Sequence, residues 1–262
     1  MADTTIMMVT FNRLELTKDT FKLALDKAGK KFNFVVVDNG SEDGTVEWLK
    51  DVSSNFMENK TIVALPKNRG IAIGRNVALK ACRELYPETE YFCTLDNDIG
   101  IYDNWLTDCC DVVEYVPRIG SCGVNLEGNE YPKSSVNLNG RKLTIRIKPR
   151  GNLGGVCTVT KKHIFDKLGY FITDMDWYGH EDSDIHMRLR RLGYGVAYLD
   201  KPGIDLCAIY KGVDEGEYRE FKNEWFKKNL PQFNKNAALY ARGQKSLFID
   251  FKEDISEYIC KK

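Results

Sequence analysis

Two carboxylates one residue apart, Asp96 and Asp98, directly follow the apolar run Tyr91 to Leu95. A run of that kind reads as a buried strand, and a chain leaving its carboxyl end enters the crevice where open α/β sheets bind ligands. Two acidic groups there repel each other unless a cation stands between them. Mg²⁺ or Mn²⁺ suits the pair, with phosphate oxygens and water completing the shell. Read alone, the same residues are equally a solvated turn. A second polar strand end, Val37-Asp38-Asn39-Gly40-Ser41-Glu42-Asp43-Gly44-Thr45, opens a helix. There Asp38 can accept a hydrogen bond from a base N–H or a ribose hydroxyl, beside the unpaired backbone N–H groups of the helix start. Thr10-Phe11-Asn12-Arg13 forms a third polar strand end, and in residues 68–76 Gly70 and Gly74 permit close approach while Arg75 brings charge. Neither G-x-G-x-x-G nor G-x-x-x-x-G-K-[ST] occurs, which counts against a dinucleotide oxidoreductase or a P-loop NTPase.

More acids stand later, where Glu181 and Asp182 open a helical pattern just after the aromatic pair Trp177-Tyr178. Such rings offer a face to a sugar or a base. Carboxylates at a helix start also simply complement its dipole, and Asp184 is expected to pair with Arg188 four residues on. His186, one turn after Asp182, either supports that carboxylate or packs in the core. His163 has no evident partner.

The elements that would position these groups follow from periodicity. Ile6–Val9, Phe34–Val37 and Tyr91–Leu95 read as buried strands alternating with helices, the rhythm of a parallel sheet covered by helices. The spacing predicts a helix from Leu14 to near Gly29 and another from Ile71 to Leu85, stopped before Pro87. Leu143, Ile145 and Ile147 alternate with Thr144, Arg146 and Lys148, a strand with one basic face in a hairpin turned at Asn139-Gly140. From His180 the pattern is helical, with Ile185, Leu189 and Leu192 on one face and Gly193 at its end; GVAYLD then returns as a strand. Residues 213–262 have helical composition and are expected to form a C-terminal helical extension split near Pro231.

The chain has 262 residues, 43% hydrophobic and 29% charged, which fits one compact unit with an appendage and excludes disorder or collagen. No stretch approaches the apolar length of a membrane span, and the beginning lacks a leader pattern, so a soluble cytoplasmic protein is expected. The eight cysteines (82, 93, 109, 110, 122, 157, 207 and 260) include no C-x-x-C pair and read as buried free thiols.

In order along residues 4 to 210, V-T-F-N-R (9–13), V-V-D-N-G-S-x-D-G-T (36–45), N-x-G-x-x-x-x-R-N (68–76), L-D-N-D (95–98), G-G-V (154–156) and W-Y-G-H-E-D-S-D (177–184) resemble the motifs of family 2 glycosyltransferases. The resemblance implies the GT-A fold: a Rossmann-like α/β architecture with a mixed, mostly parallel sheet flanked by helices. Residues 1–212 would form that domain, with 1–100 as the nucleotide-sugar half and 101–212 as the acceptor half. It further implies a nucleotide-sugar donor, most simply a UDP-sugar, bound through Thr10, Phe11, Asn12, Arg13, Asp38, Gly70, Arg75, Asp96 and Asn97. A divalent metal, Mn²⁺ or Mg²⁺, would be held at Asp96 and Asp98. Many relatives carry a metal-binding His after the strand matching VAYLD; here Gly203-Ile204-Asp205 follows, so Asp205 or water would complete the shell. The run W-x-G-x-E-D implies inverting transfer with Asp182 as general base and Glu181 as an acceptor contact, beside Trp177 and Tyr178.

Fold alone does not choose an acceptor. Thirty-eight Lys and Arg balance thirty-eight Asp and Glu, yet residues 131–150 hold Lys133, Arg141, Lys142, Arg146, Lys148 and Arg150 with no acid, and residues 227–245 hold Lys227, Lys228, Lys235, Arg242 and Lys245 with none. A basic acceptor surface including Arg146 and Lys148 would suit an anionic glycan, a lipid-linked phosphate or nucleic acid; an ordinary solvated hairpin explains the first stretch equally. Retaining transfer, nucleotidyl transfer, and a catalytically inactive sugar- or nucleic-acid-binding module remain as alternatives.

Overall fold

In a computed structural model of the chain, residues 2–56, 59–125, 131–149, 151, 153–154, 156–202, 204–205 and 216–260 are described. The first half alternates β1 (Thr4–Thr10), α1 (Leu14–Lys27), β2 (Asn33–Asp38), α2 (Thr45–Phe56), β3 (Lys60–Ala64), α3 (Ile71–Leu85) and β4 (Tyr91–Asp96). These strands pair in parallel in the order β3-β2-β1-β4. Both faces of β2 are buried because its side chains alternate between two cores: Phe34 and Val36 join Phe21, Trp105 and Leu106, whereas Val35 and Val37 join Val77, Leu79 and Phe92. With β2 on one side of β1 and β4 on the other, the strand order reverses at β1. That reversal opens a crevice at the carboxyl ends of β1 and β4.

The second half adds β5 (Ile99–Gly100), α4 (Trp105–Tyr115), β6 (Ile119–Asn125), β7 (Lys133–Leu138), β8 (Arg141–Lys148), β9 (Cys157–Lys161), α5 (Lys162–Leu168), α6 (Glu181–Arg191), β10 (Gly195–Pro202) and β11 (Ile204–Asp205), followed by α7 (Glu217–Ala241). Antiparallel β9 joins β4 to β6, β10 runs parallel to β6, and the β8–β7 hairpin completes a nine-stranded sheet. The hairpin turns where expected. Asn139 and Gly140 take φ of 49° and 75°, the left-handed pair that a two-residue turn needs to match strand twist.

The helices over 71–85 and from Glu181 form as their periodicity predicts. Strands β3, β6 and β9 go beyond the sequence reading, since each is a short apolar run whose partners are distant in sequence. Two expectations about the C-terminal region are corrected. Helix α7 passes through Pro231 without a break; Pro231 and Lys227, whose carbonyl it leaves unbonded, are both exposed residues, so the lost hydrogen bond lies on the solvent side of the helix, where it is least costly. Residues 242–260 are mostly irregular rather than helical. They run back over the sheet domain, with Ile249 bridging Gly169, Ile259 bridging Val63, Ile255 fully buried and Glu253 paired with Arg69. Cys82, Cys93, Cys109, Cys110, Cys122 and Cys157 are buried free thiols and Cys260 is free and half-buried. Cys207, Arg150 and Gly155 lie outside the described residues. No helix among the described residues is long and apolar enough to cross a membrane.

Candidate active site

Leaving β1, the chain reverses through Asn12 and Arg13, both left-handed at φ of 53° and 62°, and turns into α1. The loop after β2 braces this turn: Ser41 Oγ accepts from the Asn12 N–H at 2.7 Å and Asp43 accepts from the Leu14 N–H at 2.8 Å. Thr10 is buried, and its hydroxyl is engaged by Thr17 at 2.9 Å and by the Asn97 amide at 3.0 Å. Thr10 and Asn97 therefore fix the β1 and β4 loops to each other. Asp38 is buried, with Oδ1 accepting from the Gly40 and Ser41 N–H groups while Oδ2 has no hydrogen-bond partner. Burial pushes its pKa up, so an N–H or O–H donor reaching Oδ2 would be stabilised.

Asn39, absent from the expected site, ties this loop to the start of α3: its amide donates to Asn68 Oδ1 and the Gly70 carbonyl, and its oxygen accepts from the Arg69 N–H. Gly70, at φ 81°, is required because a Cβ there would stand 3.0 Å from the Trp177 backbone, whose carbonyl accepts from the Ile71 N–H. The α3 start thus docks onto the loop that carries Trp177.

Arg75 is buried at the centre of the site, donating to Glu181 Oε1 at 2.6 Å and to Asp96 Oδ1 at 3.0 Å. It joins the metal-type pair to the acids that open α6. Burial pushes Asp96 up to about 6 and Glu181 up to about 7 against the pull of Arg75, and the surrounding carboxylates keep Arg75 protonated. Asp98 accepts from Arg13 Nη1 at 3.0 Å. The cluster is a set of carboxylates of which Arg75 joins two and Arg13 pairs with a third, an oxygen donor set that suits a hard divalent ion plus substrate oxygens. No third His, Cys, Asp or Glu completes a metal group among the described residues. The Asp205 side chain lies outside them.

Residues Thr10, Phe11, Arg13, Gly70, Arg75, Asp96, Asn97, Asp98, Trp177, Tyr178, Glu181 and Asp182 line one cleft of about 640 Å³, together with Gly154 and Val156 of the G-G-V motif. Asn12 and Asp38 stand behind it as braces of its loops. Asp184, by contrast, forms a fully buried ion pair with Arg188 at 2.6 Å, and Arg188 donates to the carbonyls of Leu168, Tyr170 and Leu247. His186 is packed, its Nε2 3.4 Å from Ser121 Oγ, and His163 meets the Tyr194 hydroxyl at 3.1 Å, a partner the sequence did not suggest.

Arg146 and Lys148 are not in this cleft. They lie on β8, four strand spacings from β4 or about 19 Å. Arg146 pairs with Asp200 and donates to the Tyr131 carbonyl, and Lys148 lies over the Tyr131 ring. Other members of the basic stretches are paired too: Lys133 with Asp200, Arg141 with Asp108 and Asp111, Lys228 with Glu224 and Lys245 with Asp174. For Lys133, Arg141, Arg146 and Lys245 the partner is an acid distant in sequence, which the basic runs alone could not reveal. The cleft instead gains Tyr218, Phe221, Lys222 and Phe226 from α7. Their signal was present as rings at helical spacing in EYREFKNEWFKK, but nothing in the sequence said which surface that face meets.

Comparison with known proteins matches residues 5–168 to the model of glycosyl transferase family 2. Poly-beta-1,6-N-acetyl-D-glucosamine synthases of Staphylococcus aureus and Staphylococcus epidermidis are 24% and 25% identical over 208 and 206 residues, covering 74% and 73% of this chain. This chain spans about half the length of those curated relatives, 47% in each case. A mannosyltransferase from Pyrobaculum calidifontis in complex with GDP-Man and Mn²⁺ is similar in fold, with a TM-score of 0.57 at 18% identity over 93% of this chain and 76% of that one. S. aureus TarS 1–349 in complex with UDP-GlcNAc gives a TM-score of 0.57 at 19% identity over 77% of this chain and 57% of that one. With the family match spanning more than half of its residues, and those residues building most of the cleft, the chain belongs to glycosyl transferase family 2.

Proposed function

We propose that the cleft transfers a sugar from a UDP-sugar, UDP-GlcNAc in the simplest case, to an acceptor hydroxyl with inversion at the anomeric carbon. The observation that carries this reading is the convergence, in one cleft, of the Asp96–Asp98 pair from β4 with Glu181 and Asp182 from the start of α6, bridged by Arg75. The relatives named for N-acetylglucosamine polymer synthesis and the fold neighbour bound to UDP-GlcNAc favour that donor.

On this reading the uridine lies against the β1 and β2 loops, lined by Thr10, Phe11 and Asn39 and braced from behind by Asp38. A divalent ion held by Asp96 and Asp98 would offset the charge of the departing diphosphate. Arg75 keeps Glu181 and Asp96 in register and, with Arg13, offsets carboxylate repulsion before donor binds. Asp182 takes the acceptor hydroxyl proton as the acceptor oxygen bonds to C1 and the bond from C1 to the diphosphate breaks. Residues 1–100 would then serve the donor and the following half, with α7, the acceptor.

The test is release of UDP from a panel of nucleotide sugars, with Mn²⁺ or with chelator. A UDP-sugar is expected to be hydrolysed slowly without acceptor, chelator should abolish turnover, and Asp182→Asn should lower transfer by about 10²–10⁴-fold. Retention of anomeric configuration by NMR, or full turnover by Asp182→Asn, would remove Asp182 as the base.

A further inference from the structure

We propose that the first half of α7, outside the residues matched by the family, joins Trp177 in an aromatic acceptor subsite for the pyranose rings of a neutral oligosaccharide. The proposal rests on the glycosyl-transfer reading above and specifies its acceptor side. Trp177, Phe221 and Trp225 form a nearly equilateral triangle of rings, with centroids 6.4, 6.4 and 6.3 Å apart. Trp177 and Phe221 are 44% and 37% exposed, and both line the cleft whose wall carries Asp182. Large rings left in solvent at the mouth of a cleft, rather than packed in a core, mark a binding surface. A pyranose ring presents axial C–H groups on one face and hydroxyls at its rim; exposed rings suit that face, and the polar side chains Tyr218 and Lys222, which line the same cleft, suit the rim.

The platform is held rigidly, as a stacking surface must be. Asn229 donates to the Asp176 and Tyr178 carbonyls at 2.6 and 3.0 Å and accepts from the Asp176 N–H at 3.2 Å, fixing α7 to the Trp177 loop. The His180 ring is stacked between Phe226 and Phe233, at 4.0 and 5.0 Å, and its Nε2 meets the Phe226 carbonyl. Gly179 lets Phe226 approach, since a Cβ there would stand 2.8 Å from that ring. At the start of α7 the Arg13 guanidinium lies 4.5 Å over the Tyr218 ring, linking the platform to the donor side.

Charge chooses the occupant. Among the described lining residues four carboxylates face three cationic side chains, and two of these are already engaged, Arg13 with Asp98 and Arg75 with Asp96 and Glu181. Stacked nucleobases also use aromatic platforms, but a nucleic acid needs a positive groove along its backbone, and Arg141, Arg146, Lys228 and Lys245 of the basic stretches are paired with acids elsewhere. A neutral glycan incurs no such repulsion.

The test applies the full chain to four probes: N-acetylglucosamine oligosaccharides, sulfated glycans, single-stranded DNA and anionic phospholipid vesicles. Binding is followed by tryptophan fluorescence, and UDP-GlcNAc affinity is measured by calorimetry on the same samples. The neutral oligosaccharides should bind best. Phe221→Ala should weaken them about tenfold, the loss of roughly one stacked ring; Phe221→Tyr should retain them, and acceptor KM should rise far more than donor KM. Leu230→Ala, on the same helix beyond the triangle, reports the effect of a change on α7 alone and should not weaken them. Absence of neutral-glycan binding, equal binding by Phe221→Ala, or preference for any anionic probe overturns the proposal. Absence of UDP-GlcNAc binding with glycan binding intact would instead overturn UDP-GlcNAc as the donor and leave the subsite standing.

Discussion

At the scale of residues, the site is governed by how few cations hold its carboxylates together. Arg75 is buried between Glu181 and Asp96, so Arg75→Met would leave a buried acid without its counter-charge. A loss of about 3–5 kcal/mol in urea denaturation is expected, partly recovered by adding Glu181→Gln; no recovery would mean that Arg75 acts through packing alone. Arg13 plays a different part, because its guanidinium occupies Asp98 at 3.0 Å, where a divalent ion would compete. Arg13→Ala should therefore raise Mn²⁺ affinity several-fold in nucleotide-free protein, read by paramagnetic resonance; unchanged affinity would show that the pair offers no competition. The ordered motifs made Asp96, Asp98, Glu181 and Asp182 legible in the sequence. What the residues contact within the protein was not legible: Arg75, which lines the cleft, also bridges two acids, and Thr10, which lines it too, has its hydroxyl engaged by Thr17 and Asn97.

At the scale of elements, local pattern foretold α3, α6 and the β7–β8 hairpin because each carries its own stop or turn signal: Pro87 beyond α3, Gly193 after α6, Asn139-Gly140 in the hairpin. It misled at Pro231, where helix propensity alone argued for a break and α7 continues. The missing hydrogen bond there remains a cost. Pro231→Ala is expected to stabilise the protein by about 1–3 kcal/mol in thermal or urea unfolding, with no change of helix boundary; a destabilised variant would show that proline at this position relieves rather than strains the helix. The basic face of β8 was legible as an alternation, but its neutralisation by Asp200, from a strand fifty residues later, was not.

For the whole molecule, buried titratable groups couple stability to pH. His186 is 4% exposed, and burial pushes its pKa down to about 4. Below the ordinary histidine value of about 6.5, the unfolded chain takes a proton that the folded protein refuses, so this residue lowers stability as pH falls from about 6.5 to 4, by up to about 3 kcal/mol. His186→Gln should flatten the pH profile over that window. The raised pKa values of Asp96 and Glu181 act in the opposite direction and cancel when variant and parent are compared. Parallel denaturation profiles for the two proteins would show that His186 does not carry the effect.

The sequence by itself determined the family, the alternating strands and helices of the donor half and the acids of the site, because local periodicity and ordered short motifs encode these directly. Only tertiary structure decided that α7 and residues 242–260 fold back onto the domain, that α7 walls the cleft with rings, and that Lys133, Arg141, Arg146 and Lys245 of the basic stretches pair with distant acids. Each of these depends on which distant surfaces meet, and a linear pattern of charge or hydrophobicity specifies a face without specifying its partner.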